Sequence, residues 1–205
     1  MRFRGLLTAL VAAAVLVCGI PAAADVGSGT GPPTATGHGG AAASVERLAT
    51  EAAVGILRRG GNAVDAAVAS AAVLGVTEPF SCGIGGGGFM VIRTADGKVV
   101  TIDGRETAPD SMTPTSFWEN GAPLPFNDAR WSGLSVGVPG TPATWAEALK
   151  KYGTMKLKQV LQPGIDVAEN GFVVDQSFFD FTQQDVPWFD DIPASAALFL
   201  DADGT

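Results

Sequence analysis

Histidine, cysteine and tyrosine are nearly absent from this sequence of 205 residues, which has one His, two Cys and one Tyr. A single His excludes a His-rich metal site and any zinc motif built on two histidines. Charge is also sparse, at 17% of residues, and biased: 13 Lys and Arg against 21 Asp and Glu give a net charge of −8. Affinity for nucleic acid comes mainly from basic side chains that neutralise phosphates, so an acidic chain without a Lys/Arg cluster is poorly suited to it. Apolar residues, by contrast, make up 46% of the chain, too much for wholesale disorder. The length allows one ordinary domain with a sizeable core.

The first thing present is an export signal. Arg2 and Arg4 form a basic start, Leu6 to Ile20 is an apolar run too short to span a bilayer comfortably, and Ala22-Ala23-Ala24 supplies a small-x-small cleavage site. The pattern predicts a signal peptide over residues 1–24, cleavage after Ala24, and secretion to the outside or the periplasm without a stable membrane anchor. A lipid anchor on Cys18 is disfavoured because bulky Val17 precedes it. Cleavage removes two of the 13 basic residues, no acidic ones and one of the two cysteines. Cys82 then has no partner for an intrachain disulfide, and it reads as a small buried thiol rather than a nucleophile. Residues 25–42 read as a flexible linker rich in Gly, Ser, Thr and Pro. The lone His38 lies inside it and is expected to be solvated, since a catalytic histidine must be held firmly. That removes Ser-His-Asp and Cys-His catalysis from within this chain.

From Ser44 onward, Val45, Leu48, Ala49, Ala52, Ala53, Ile56 and Leu57 recur at helical spacing up to Arg58-Arg59 and Gly60-Gly61. Asn62 is placed to cap a second, Ala-rich helix to about Val76, with Asp65 near its positive end. The pair predicts a buried helical hairpin. Glu78-Pro79 ends it, and Gly83-Ile84-Gly85-Gly86-Gly87-Gly88 follows. That string satisfies G-x-G-x-x-G, but a dinucleotide site needs a strand before and a helix after, and here the order is reversed. The glycines instead suit a closely packed approach to a strand. Two antiparallel strands, Gly87 to Arg93 and Val99 to Asp103, are expected around a turn at Ala95-Asp96-Gly97.

Arg105 and Glu106 follow at the strand end, where a rigid sheet presents reactive groups. Spacing alone favours a surface ion pair of Arg105 with Glu106 or Asp103. Residues 110 to 133 are a long connection carrying Phe117, Trp118, Phe126 and Trp131. Further helices are expected from Pro139-Gly140-Thr141-Pro142 to Tyr152-Gly153, from Leu157 to Glu169, and after Asp175 through Phe178, Phe179 and Phe181. Beyond Pro187 the chain reads as turn-like.

Several ordered blocks then carry a family resemblance. Gly60-Gly61-Asn62-Ala63-Val64-Asp65-Ala66-Ala67-Val68-Ala69, Gly85-Gly86-Gly87-Gly88-Phe89-Met90 and Asp103-Gly104-Arg105-Glu106-Thr107-Ala108-Pro109 resemble the γ-glutamyltransferases, also called glutathione hydrolases. Pro139-Gly140-Thr141 and Tyr152-Gly153-Thr154-Met155 continue the likeness, which covers about Ser44 to Val174. The resemblance implies an α+β fold, part of the four-layer αββα sandwich of N-terminal-nucleophile hydrolases. It implies that residues 43–205 are the front portion of a large subunit, whose partner is a small subunit cut from the same precursor. The implied reaction is γ-glutamyl transfer from glutathione and related amides to water, amino acids or peptides, with no cofactor and no metal. The nucleophile of the family is a threonine freed at the start of the small subunit, which uses its own amino group as base and needs no histidine. That threonine is expected beyond residue 205, so no catalytic residue is assigned here and the chain alone is expected to lack transferase activity.

Arg105 matches the family arginine that pairs with the α-carboxylate of the γ-glutamyl group. A guanidinium fork suits a carboxylate, and the resemblance turns the reading of Arg105 from ion pair to substrate recognition. Glu106 either orients Arg105 or is merely solvated. Two alternatives stand beside the transferase: a related acylase acting on β-lactam side chains or poly-γ-glutamate, and a secreted non-catalytic homologue.

Overall fold

The structure, a computed structural model, describes residues 36–189 and 192–201. The expected signal peptide, Cys18 and linker residues 25–35 lie outside the described residues. All elements below belong to the unit Gly37–Thr205.

Helix α1 spans Arg47–Arg58 and α2 spans Ala63–Thr77. The helical spacing seen from Ser44 overshoots by three residues, because Glu46 is the cap: its carboxylate accepts from Leu48 N and Ala49 N, both at 2.8 Å. Ser44 instead turns its hydroxyl to Glu46 O at 2.7 Å. At α2 the expected cap holds, with Asn62 Oδ1 accepting from Val64 N at 2.9 Å and Asp65 N at 3.1 Å. Helix α2 is buried on nearly every side, through Val64, Ala66, Val68, Ala69 and Val73. Small residues let its neighbours come close. A Cβ on Gly164 would sit 3.0 Å from the Ala72 backbone, which sets how tightly α5 (Leu157–Asn170) lies against α2. Ile56, Val68 and Val160 of α1, α2 and α5 form the core with Trp145 and Leu149 of α4, Thr141–Tyr152.

Strands β1 (Gly88–Arg93) and β2 (Val99–Gly104) pair antiparallel with Gly88 opposite Gly104. Gly97, at φ 86°, makes the turn that Ala95-Asp96-Gly97 predicts. The hairpin lays Met90, Ile92, Val100 and Ile102 on Val64 and Ala148, while Phe89, Val91 and Val99 face out.

The long connection is more structured than the sequence implies. It holds a short hairpin, β3 (Trp118–Glu119) with β4 (Ala122–Pro123), then helix α3 (Phe126–Arg130) and a 3-10 turn at Gly133–Ser135. The end of the chain also departs from expectation. Asp175 caps α6 as predicted, accepting from Phe178 N at 2.8 Å, but α6 runs Gln176–Phe189 through Pro187, and α7 follows at Pro193–Phe199. Pro187 sits two residues from the helix end, so the one backbone bond it cannot donate is lost in the last turn. Next to it, Trp188 stacks on Trp131 at 5.7 Å and 8°, a tertiary contact that local signals do not carry.

Candidate functional site

Three glycine-containing segments meet at the end of β2. Gly140 N and Thr141 N both donate to Gly86 O, at 3.0 and 3.1 Å, which ties the start of α4 to the glycine-rich turn. Val138 N donates to Thr107 O at 2.9 Å, laying the approach to α4 alongside the residues that follow β2. The glycines are required by closeness. A Cβ on Gly87 would lie 2.8 Å from Glu106 N and 2.9 Å from Glu106 Oε2, and one on Gly137 would lie 2.8 Å from Glu106 Cβ. The backbone of Glu106 is thus wedged between two loops.

Arg105 stands at the rim of this wedge. Its backbone N–H donates to Asp103 Oδ1 at 3.0 Å, so Asp103 shapes the turn rather than pairing with the guanidinium. Arg105 Nε lies 3.4 Å from Glu106 Oε2, an oxygen that is buried and accepts no hydrogen bond. The Arg105 side chain is 60% exposed, and its two terminal nitrogens have no acceptor among the described residues. The arrangement leaves the fork end of a guanidinium open while a carboxylate lies beside its inner nitrogen. Such a fork can take a carboxylate through two parallel N–H bonds.

The other sequence candidates sit elsewhere. His38 is exposed, outside any helix or strand. Cys82 is a free, half-buried thiol, and burial together with the charge of Glu78 pushes its pKa up, so it is held protonated and is a poor nucleophile. Among the described residues no helix is long and apolar enough to cross a membrane. Gly137 and Gly140 were missed as parts of the site. Their signal was the Gly137-Val138-Pro139-Gly140 string, which reads only as helix punctuation until it is seen against Glu106.

The chain matches the family model described as Gamma-glutamyltranspeptidase over residues 49–205. It belongs to that family. The glutathione hydrolase proenzyme of Bacillus subtilis (strain 168) is 48% identical over 141 residues, which are 68% of this chain and 24% of that protein. The acylase ACY 1 proenzyme of Pseudomonas sp. (strain V22) is 44% identical over 146 residues, covering 68% of this chain and 26% of the relative. The crystal structure of Helicobacter pylori gamma-glutamyltranspeptidase superposes with a TM-score of 0.79 at 38% identity, over 84% of this chain and 49% of that one. The chain therefore spans about a quarter of the length of these curated relatives. As a gamma-glutamyltranspeptidase family member it has the α+β class expected from its sequence, part of the N-terminal-nucleophile hydrolase sandwich. Both relatives are named proenzymes.

Proposed function

We propose that this chain is the front portion of the large subunit of a secreted glutathione hydrolase and γ-glutamyltransferase. The precursor is processed into two subunits, and residues 1–24 direct it out of the cytoplasm. The complete protein transfers a γ-glutamyl group from glutathione or related amides to water, an amino acid or a peptide. A threonine of the small subunit attacks the γ-carbonyl, the amine leaves, and water or an acceptor amine then cleaves the acyl-enzyme.

Arg105 binds the α-carboxylate of the donor, and Glu106 orients it. The observation that carries this reading is the open fork: a guanidinium whose Nε lies 3.4 Å from Glu106 Oε2, with both terminal nitrogens free among the described residues. In a chain of net charge −8, an anionic substrate needs such a local cation.

The test is steady-state kinetics of the complete protein with γ-glutamyl-p-nitroanilide. Arg105→Ala should lower kcat/KM by about thirtyfold or more, the loss of a charge-assisted carboxylate pair, mainly through donor KM. Arg105→Lys should recover only part of it, because an ammonium lacks the planar fork. Unchanged donor kinetics in Arg105→Ala would remove the assignment. The acylase relative supports a second reading, deacylation of a β-lactam side chain. A glutaryl anilide, which keeps the carboxylate but lacks the α-amino group, separates the two: turnover matching the γ-glutamyl compound favours the acylase.

A further inference from the structure

Beyond the Arg105 wedge, the molecule has a cavity of about 750 Å³ between the segment before α1, the outer wall of α2, and the start of α6. That is within the usual range for small-molecule sites. None of the residues assigned to donor binding lines it. Ala63, Ala67, Ala71 and Leu74 make one apolar wall, and Glu78 and Cys82 close one end. Glu78 is the unusual member. It is only 7% exposed, yet its carboxylate has no hydrogen-bond donor and no cation among the described residues. Its charged neighbours make matters worse, since Glu46 and Asp175 are also acids. Burial, with these two carboxylates, pushes the Glu78 acid above its ordinary range. The carboxylate opens onto the cavity with two further acids near it, and its negative potential beside an apolar wall suits a cation from outside. The alanine wall beside Glu78 offers apolar surface that only a cation with an apolar body would use.

We propose that this cavity binds a small organic ammonium compound, its charged head against Glu78 and its apolar body along the alanine wall of α2. The head pairs with the Glu78 carboxylate by charge-assisted hydrogen bonds, and the body displaces water from apolar surface. Cys82, at the same end, reports occupancy. The experiment alkylates the complete protein with iodoacetamide at pH 8 and follows the Cys82 peptide by mass spectrometry. It titrates n-butylammonium chloride, with n-butanol as the neutral counterpart and KCl as the ionic control.

The expected result is saturable protection of Cys82 by butylammonium at a concentration about tenfold below that needed for butanol, as one good charge-assisted contact implies. Protection is read as the ratio of rates with and without ligand, because Glu78→Gln also changes the thiol's basal reactivity. Glu78→Gln should bring butylammonium to the butanol level. Ala67→Phe, which fills the cavity from an exposed helix position and leaves the carboxylate in place, should abolish protection by both, with an unchanged far-UV circular dichroism spectrum. Equal protection by the two compounds, or undiminished protection in Glu78→Gln, overturns the proposal. So does the absence of saturable protection in the complete protein, since the cavity is then filled by the protein itself. Loss of donor turnover in Arg105→Ala has no bearing on these outcomes, and the two readings fail separately.

Discussion

Asp65 shows how much one side chain holds. Its carboxylate is fully buried at the start of α2 and accepts from Asn62 N at 2.8 Å, from Thr154 Oγ1 at 2.6 Å, and from Thr154 N and Met155 N at 3.0 and 3.1 Å. It therefore closes the capping box of α2 and pins the turn between α4 and α5 to it, with Asn62 Nδ2 adding a bond to Tyr152 O at 2.6 Å. Burial alone would push this acid up, but the donors of Thr154, Asn62 and Met155 outweigh it and hold the acid below its ordinary value of 3.8. The sign of the linkage follows. The folded protein binds fewer protons at Asp65 than the unfolded chain, so the contribution is full above 3.8 and is lost as pH falls through the lower folded value. Asp65→Asn turns an NH2 group toward N–H donors and should cost about 3 kcal/mol. Urea titrations should show this as a lower midpoint with unchanged slope, and the difference from wild type should shrink as the pH is lowered through that window. A difference that persists unchanged at low pH would mean that the carboxylate charge is not what holds the turn. The sequence made only the local half of this legible. Asp65 near a helix N-terminus follows from Asn62 three residues earlier, whereas its partners at Thr154 and Met155 are some 90 positions away, and no pattern of spacing encodes them.

At the scale of elements, local signals were readable wherever a helix or turn closes on itself. Asn62 before α2 and the Ala95-Asp96-Gly97 turn each act within four residues, and the structure has both of them. What stayed hidden depends on contacts between elements. Helix α6 persists through Pro187 beside the Trp131 and Trp188 stack, and Phe80 gathers Phe178 and Phe181 at 5.3 and 5.8 Å. The candidate site was half legible in the same way. Arg105 and Glu106 were found at the strand end, but the loops that press on them were not.

This pressure gives a prediction about the glycine turn. Gly87→Ala puts a methyl group 2.8 Å from Glu106 N, against backbone that cannot yield cheaply, whereas a Cβ on Gly85 meets nothing within 4 Å. In the complete protein, Gly87→Ala should raise the donor KM on the order of tenfold by displacing the end of β2 that carries Arg105. Gly85→Ala should leave it unchanged. Steady-state kinetics with γ-glutamyl-p-nitroanilide, beside a thermal melt of each variant, checks both. Similar KM values for the two variants would show that the turn does not position Arg105.

At the scale of the whole molecule, the two faces of the β1–β2 hairpin differ in what covers them. An antiparallel sheet with one wet face alternates apolar and polar residues, while Phe89-Met90-Val91-Ile92 is apolar at every position. Met90 and Ile92 reach the core described here, but Phe89 is 65% exposed and Val91 and Val99 lie exposed beside it. In a sandwich of two sheets between helical layers, such a face is an inner one, covered by the second sheet. The chain spans only about a quarter of its curated relatives, so ample sequence exists in the family to supply that cover. Phe89→Asp should then cost the complete protein about 2–3 kcal/mol, the burial of a large aromatic exchanged for a charge. In the 205-residue chain alone it should change stability little. Urea denaturation of the two forms, each with and without the substitution, measures the difference. An equally small effect in both would mean that the Phe89 face of the hairpin stays wet, and that the high apolar content of this strand has another cause.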